Sequence, residues 1–507
     1  MMKTHINWKK LQNGSDIRGV AMDGIPGEEI NLTCQVAEKL GRAFAHWLHH
    51  KTNLSTLTLT VAVGTDSRLT GPSLKKAFVQ GLVHVGVDVY DCGIASTPAM
   101  FMATVDEDYC IDAGVMLTAS HLPFNRNGFK FFTPEGGANK SDITEILQWA
   151  ARDHLNAISE SGVVKELDYI STYSNHLVHR IRSGVQSKVD KVQPLKGLKI
   201  IVDAGNGAGG FFAKKVLEKL GADTNGSQFL DPDGNFPNHV PNPEDEVAMK
   251  SISDAVIREK ADLGIIFDTD VDRSAIVDKQ GNSIHRNELI ALISAIVLEE
   301  HPGSTVVTDS ITSDGLTWFI QTHLKGKHKR FKRGYKNVIN ESLRLNTAGE
   351  ESWLAIETSG HAALKENYFL DDGAFLVAKL LMKMADLRLH NKELSQLINE
   401  LPKPIESKEF RLKIKTKDFI SYGQSVIAAL ENNLSSDWEK VSENYEGIRV
   451  QCKHESEDGW FLLRLSLHDP VIPINIESNV RGGVEVIVSK LKHILELYIH
   501  LDLSPLN

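Results

Sequence analysis

Cysteine is scarce in this sequence: there are four, Cys34, Cys92, Cys110 and Cys452, in 507 residues, and none forms a C-x-x-C pair. So few thiols cannot staple a chain of this length and offer no structural zinc site; their usage fits a reducing compartment. Long apolar runs are missing too. The longest, Ile290 to Leu298, is broken by Ser294 and falls far short of the ~20 residues a spanning helix needs, so no membrane partner is expected. The opening stretch MMKTHINWKKLQNGSD has neither an apolar signal region nor an Arg/Ser-rich, acid-poor presequence, and a cytoplasmic protein is expected. Excess basic charge is also lacking. Lys and Arg number 56 against 66 Asp and Glu, a formal net charge of −10, which disfavours nucleic acid as a partner but leaves a local site for a small anion open. What is present, 41% hydrophobic and 24% charged residues, is an ordinary globular composition, and the length predicts three or four domains at ~150 residues each.

From Leu57 the chain alternates strand-like and helix-like stretches. TLTLTVAVGTD reads as a strand, SLKKAFVQGLVHVG as an amphipathic helix and VDVYDCG as a second strand. The same βα unit recurs at LKIIVDAGNGAGG with FFAKKVLEKLGA, and at GSTVVTDS with the helical stretch after it, so a doubly wound sheet is expected in each region. Breaks fall at the polar helix from Asp142 toward Tyr169, at His301-Pro302-Gly303 and at Leu401-Pro402-Lys403-Pro404. After Pro404 the strand-like runs EFRLKIK, GIRVQCK, GWFLLRLSL and PINIE alternate with helices near Tyr422–Asn433 and Val488–His500, the pattern of a smaller α+β domain.

The sharpest motif is Asp268-Thr-Asp270-Val-Asp272-Arg273, between the apolar runs ADLGIIF and SAIVD. Three carboxylates at alternate positions of a tight turn repel one another unless a hard cation lies between them, which suits Mg²⁺; a solvated acidic turn is the plain alternative. An EF-hand would need Gly and Glu where Arg273 and Lys279 stand, so calcium by that route is excluded. Thr118-Ala-Ser120-His121-Leu-Pro123, running on through Asn127 and Gly128 to Lys130, presents a hydroxyl beside an imidazole on a turn, or simply a turn cap. Asp203 to Gly210 contains G-x-G-x-x-G, but no strand ending in a suitable acid follows at the dinucleotide spacing, and a tight structural turn reads better. Glu357-Thr-Ser359-Gly360-His361 offers groups suited to sugar hydroxyls, and Arg464 with Ser466 a guanidinium and a hydroxyl suited to phosphate. The basic run Lys325 to Lys336 reads as solubilising charge, except for Lys336 as a substrate contact.

Taken together and in this order, these segments resemble the α-D-phosphohexomutase superfamily, the phosphoglucomutases and phosphomannomutases. Asp16-Ile-Arg18-Gly19-Val20 is similar to its N-terminal arginine motif, Thr118 to Lys130 to its active-site serine loop, Asp268 to Arg273 to its metal loop and Glu357 to His361 to its sugar loop. A second G-E-x-S copy at Gly349 to Ser352 is set aside, because only Ser359 is followed by Gly-His. The family's R-P-S-G-T-E-P phosphate loop stands here as R-L-S-L-H-D-P, so that Leu467 and His468 replace a flexible glycine and a hydroxyl donor.

The resemblance implies an α/β chain of four domains around a central cleft, three with doubly wound mixed sheets and a smaller α+β C-terminal one, at residues 1–160, 161–301, 302–403 and 404–507. It implies a phosphohexomutase that interconverts hexose 1- and 6-phosphates of glucose and/or mannose through a phosphoserine and a hexose 1,6-bisphosphate, which also serves as activator. Mg²⁺ would be held by Asp268, Asp270, Asp272 and the phosphoryl group on Ser120. Lys130, beside Arg18, would be the general acid/base, with His361 or His121 behind it. Arg273, Glu357, Ser359, His361, Lys336, Arg464 and Ser466 would bind substrate. A non-catalytic sugar-phosphate binder or regulator of the same fold, motivated by the altered 464–470 loop and by Ile356, and a phosphoglucosamine mutase are the alternatives.

Overall fold

The first βα stretch read from the sequence becomes the middle of a large mixed sheet. Strands Thr60–Thr65 and Ala113–Leu117 are parallel neighbours with nearly every residue buried, as expected where helices cover both faces. Across the sheet the order is Asp16–Val20, Arg126–Thr133, Ala113–Leu117, Thr60–Thr65, Asp88–Ile94, Val164–Glu166; the first two strands are antiparallel to their neighbours and the rest are parallel. Helices Cys34–Thr52, Gly71–Val83 and Lys140–Arg152 bury their apolar stripes on this sheet, with Phe44 stacked on Phe131 at 4.7 Å between ring centroids. Thr33 caps the first of these helices by accepting the Val36 N–H. This computed structural model describes residues 6–152, 161–466 and 469–507.

Two compact units divide the chain: the segment up to Leu289 with Ser359–Leu397, and Ile290–Thr358 with Ile398–Asn507. In the first unit a second sheet runs in the order Ser283–Ile284, Ser274–Asp278, Leu263–Phe267, Ile200–Asp203, with only the last pair parallel. Its core packs Ile201 and Ile266 against Ile252 and Val256 of helix Glu246–Glu259. In the second unit Thr305–Asp309 lies parallel to both Lys327–Phe331 and Ser352–Ile356. The C-terminal part of that unit is a five-stranded antiparallel sheet, ordered Glu406–Lys413, Val471–Ser478, Gly459–Leu463, Ile448–Cys452, Trp438–Lys440, covered by helices Phe419–Asn432 and Gly483–Leu495. Three mixed α/β sheets and a smaller α+β part are thus the fold class read from the sequence. Among the described residues no helix is long and apolar enough to cross a membrane.

Three local expectations need refining. The stretch after the glycine-rich turn is helical as expected but not α-helical: Phe212–Leu217 is a π-helix that tightens into a 3-10 turn, Glu218–Leu220. The last helix spans Gly483–Leu495 and not Val488–His500, because the buried stripe of Val484, Ile487, Val488, Leu491 and Leu495 starts a turn earlier, while Leu497 and Ile499 are exposed. The strand expected through GWFLLRLSL ends at Leu463, so Arg464 and Ser466 lie beyond it; Leu467 and His468 are outside the described residues.

Candidate active site

Ser120 sits in the turn joining the antiparallel strands Ala113–Leu117 and Arg126–Thr133. It is buried and adopts φ +51°, a left-handed backbone unusual for a residue with a side chain. Its hydroxyl donates to Asp268 Oδ2 at 3.0 Å and accepts from Arg273 Nη2 at 3.2 Å, with His121 Nδ1 3.3 Å away. The same Arg273 nitrogen donates to His121 Nδ1 at 2.7 Å. Burial, then the charges of Arg273 and Arg18, hold His121 neutral by lowering its pKa to about 2. The sheet register explains why Arg18 and Lys130 join it: Arg18 lies opposite Gly128, and Gly128 and Lys130, two residues apart, share a face.

Asp268 to Arg273 is the turn of the hairpin formed by Leu263–Phe267 and Ser274–Asp278. The backbone inside it is strained, since the β-branched Val271 has φ +67°. Three neighbours hold it. Thr97 donates its N–H to Asp270 O at 2.8 Å and its hydroxyl to Asp270 Oδ2 at 2.5 Å. Gly373, opening the helix Gly373–Arg388, donates to Val271 O at 3.1 Å, and a Cβ there would meet the Arg273 carbonyl carbon at 2.7 Å. From the glycine-rich turn, Ala208 donates to Thr269 O at 2.8 Å, and a Cβ on Gly207 would meet Thr269 Cα at 2.8 Å. The G-x-G-x-x-G match is therefore a close-approach device that backs the acidic turn.

Asp268, Asp270 and Asp272 are fully buried, and one oxygen from each lies within 4.8 Å of the others. Lys130 Nζ pairs with Asp270 Oδ2 at 3.0 Å and also with Asp272 Oδ2. Burial, then Asp272 and Asp270, push the Asp268 carboxyl well above its ordinary range. Asp272 is held below it: burial acts upward but is outweighed by Lys130, His361 and Arg273. Asp270 Oδ1 and Asp272 Oδ1 are buried with no hydrogen-bond partner. Three converging carboxylates, two of them with an unpartnered buried oxygen, fit a divalent cation bound through oxygen. His361 stands beside them, paired with Asp371 and 4.0 Å from Asp272 Oδ1. Burial alone would lower its pKa, but Asp371 and Asp272 raise it to about 9.

The chain passes between the two units from Thr358 to Ser359, so the sugar-loop candidates divide. Ser359, its hydroxyl buried without a hydrogen bond, and His361 belong to the first unit with the serine and acidic loops. Glu357, Lys336, Arg464 and Ser466 belong to the second. There Glu357 Oε1 accepts the Gly334 N–H at 2.5 Å, and Lys336 stands in the first turn of helix Tyr335–Thr347. Arg464 Nε is buried and unpartnered; burial, then nearby Arg333, lower that guanidinium's pKa, and Glu446 opposes them. Ser466 Oγ accepts the Asp469 N–H at 3.3 Å.

Sequence reading missed several of these neighbours. Nothing in the sequence singles out Thr97, and Arg333 reads there as solubilising charge with the rest of the basic run. Arg330, from the same run, is also no solvated charge: it donates to Asp314 at 2.8 Å and to the Ser313 carbonyl at 2.9 Å. The roles of Thr97 and Arg333 have no local signal, because each depends on a residue more than a hundred positions along the chain.

Known proteins share this arrangement of segments. Three family descriptions match in succession: Phosphoglucomutase/phosphomannomutase, alpha/beta/alpha domain I over residues 9–156, domain II over 171–281 and domain III over 285–405. The Phosphoglucomutase of Neisseria gonorrhoeae is 30% identical over 489 residues, 96% of each chain. The Phosphomannomutase/phosphoglucomutase of Pseudomonas syringae pv. tomato is 31% identical over 474 residues, 93% of this chain and 91% of its own. Among solved structures, a phosphoglucomutase/phosphomannomutase family protein from Burkholderia thailandensis superposes with a TM-score of 0.78 at 27% identity, over 96% of this chain and 97% of that one. With matches of this extent, the chain belongs to the phosphoglucomutase/phosphomannomutase family of the α-D-phosphohexomutase superfamily.

Proposed function

We propose that this protein interconverts the 1- and 6-phosphates of a hexose, glucose and/or mannose, through a phosphoserine at Ser120 and a hexose 1,6-bisphosphate. The observation that carries this reading is the Ser120 hydroxyl, buried between the Asp268 carboxylate at 3.0 Å and the Arg273 guanidinium at 3.2 Å. Phosphoryl transfer depends on positioning and on neutralising charge at the transferring group, and these groups supply both. Asp268, Asp270 and Asp272 would hold Mg²⁺, which when bound draws negative charge off the phosphoryl oxygens. Arg273 fixes the hydroxyl and keeps the neutral His121 beside it. Lys130, which reaches the acidic loop from the strand that follows the serine loop, is our choice for moving the proton of the attacking sugar hydroxyl, since His121 Nδ1 already accepts from Arg273.

Arg464 and Ser466 are assigned to the phosphate that is not being transferred, and Glu357, Ser359, His361 and Lys336 to sugar contacts. The segments 1–160, 161–301, 302–403 and 404–507 then contribute the serine, metal, sugar and phosphate loops in turn. Intact mass tests the reading: protein incubated with hexose 1,6-bisphosphate and Mg²⁺ should carry a phosphate-sized increment that Ser120→Ala abolishes. It should also interconvert glucose or mannose 1- and 6-phosphates. Absence of both increment and turnover would overturn the proposal.

A further inference from the structure

The loop that presents Ser120 is held from below by one cation. Arg68 follows the strand Thr60–Thr65 and is 1% exposed. Each of its four terminal N–H groups meets a different main-chain carbonyl of the segment 120–126. Nη1 donates to Pro123 O at 2.8 Å and Arg126 O at 2.9 Å, and Nη2 to Leu122 O at 2.6 Å and to Ser120 O. Asp66 fixes the arginine from behind by accepting its main-chain N–H at 3.0 Å and lying 3.4 Å from Nε, and the guanidinium carbon lies 5.5 Å from the Phe236 ring centroid.

Four carbonyl dipoles aimed at one point repel one another unless a positive charge with several donors stands there. The Ser120 backbone is also left-handed, so neither feature of the loop is one its own residues favour. Only the planar fork of an arginine matches this set; a lysine ammonium has three donors and no fixed plane.

We propose that Arg68 is a positioning residue for the Ser120 hydroxyl, holding the 120–126 loop in the one conformation that brings Oγ to Asp268 and Arg273 while never touching the substrate. The inference rests on Ser120 being the phosphoryl carrier. It goes beyond that reading by assigning the geometry of the carrier to a buried group of another segment.

The test compares wild type, Arg68→Lys and Arg68→Ala, each mixed with glucose 1,6-bisphosphate and Mg²⁺ and followed by intact mass over time, with calorimetry alongside. A misplaced nucleophile should slow phosphorylation about 100-fold in Arg68→Lys, with KM for the hexose phosphate unchanged and a cooperative melt retained. Methylguanidinium should restore part of the rate to Arg68→Ala by refilling the site. A wild-type rate in a folded Arg68→Lys variant would overturn the proposal. So would loss of the cooperative melt in both variants, because the arginine would then hold the fold and not the loop. If wild type itself gains no phosphate, the carrier role of Ser120 falls, and the clamp with it, having no nucleophile to position.

Discussion

A single methyl group measures how tightly the glycine-rich turn backs the acidic loop. Adding Cβ to Gly207 places it 2.7 Å from Thr269 O and 2.8 Å from Thr269 Cα, both backbone, so the residue between Asp268 and Asp270 must move. At Gly209 the nearest atom is 3.1 Å away and belongs to the Phe267 ring, which can give way. We therefore expect Gly207→Ala to cost about 1–3 kcal/mol of stability and to raise the Mg²⁺ concentration for half-maximal turnover, while Gly209→Ala changes neither greatly. Thermal melts and a Mg²⁺ titration of activity check this; equal behaviour of the two variants would refute it. The example marks what sequence can and cannot give at this scale. The grouping of the three aspartates was legible because carboxylates at alternate positions of a tight turn are adjacent in the chain. The role of Gly207 was not, because it lies in contact with a residue 62 positions later.

At the scale of elements, strand Ile448–Cys452 is tied to the turn after strand Thr305–Asp309 within the second unit. Arg449, 2% exposed, donates to Ser310 O at 2.9 Å, Thr312 O at 3.1 Å and Asp314 at 2.9 Å, with its guanidinium carbon 3.5 Å from the Trp460 ring centroid. Glu477, on strand Val471–Ser478, accepts from the Trp460 indole at 2.8 Å. Burial raises its pKa from 4.5 to about 7, against the lowering effects of Trp460, Arg449 and Arg330 and with Asp314 adding to the rise. A carboxyl whose folded pKa lies above its unfolded value binds the proton more tightly when folded. Its contribution to stability therefore falls as pH climbs from about 4.5 to about 7 and stays lost above that. In Glu477→Gln that slope should vanish, and the variant should melt higher than wild type above pH 7, by a difference of order 3 kcal/mol. Calorimetry of both proteins from pH 5 to 8 decides it, and parallel curves would exclude the effect. None of this network was readable beforehand. Apolar patterning foretold the strands because it is local, whereas the partners of Arg449 are set by how segments more than a hundred residues apart come together.

For the molecule as a whole, a net charge of −10 says little about where charge is costly. Three buried carboxylates lie together in the first unit, and without a divalent ion their charge is opposed chiefly by Lys130 and Arg273. The ammonium of Lys130 pairs with two of the carboxylates a cation would take, so chelation should leave wild type folded, with only a modest fall in Tm. Lys130→Met keeps the length of the side chain and removes that charge. Breaking one side of a buried ion pair costs about 3–5 kcal/mol. At ~2–4 °C per kcal/mol for a unit of this size, the chelated variant should melt roughly 10 °C below chelated wild type. Mg²⁺ would then stabilise the variant more than wild type, approaching about 2.7 kcal/mol when it stands 100-fold above its Kd, because the ion no longer has an ammonium to displace. The measurement is a pair of thermal melts for each protein, in excess chelator and in excess Mg²⁺. Equal melting of the two proteins under chelation would show that the fold tolerates three buried carboxylates without either cation, and would overturn the stabilising role of Lys130.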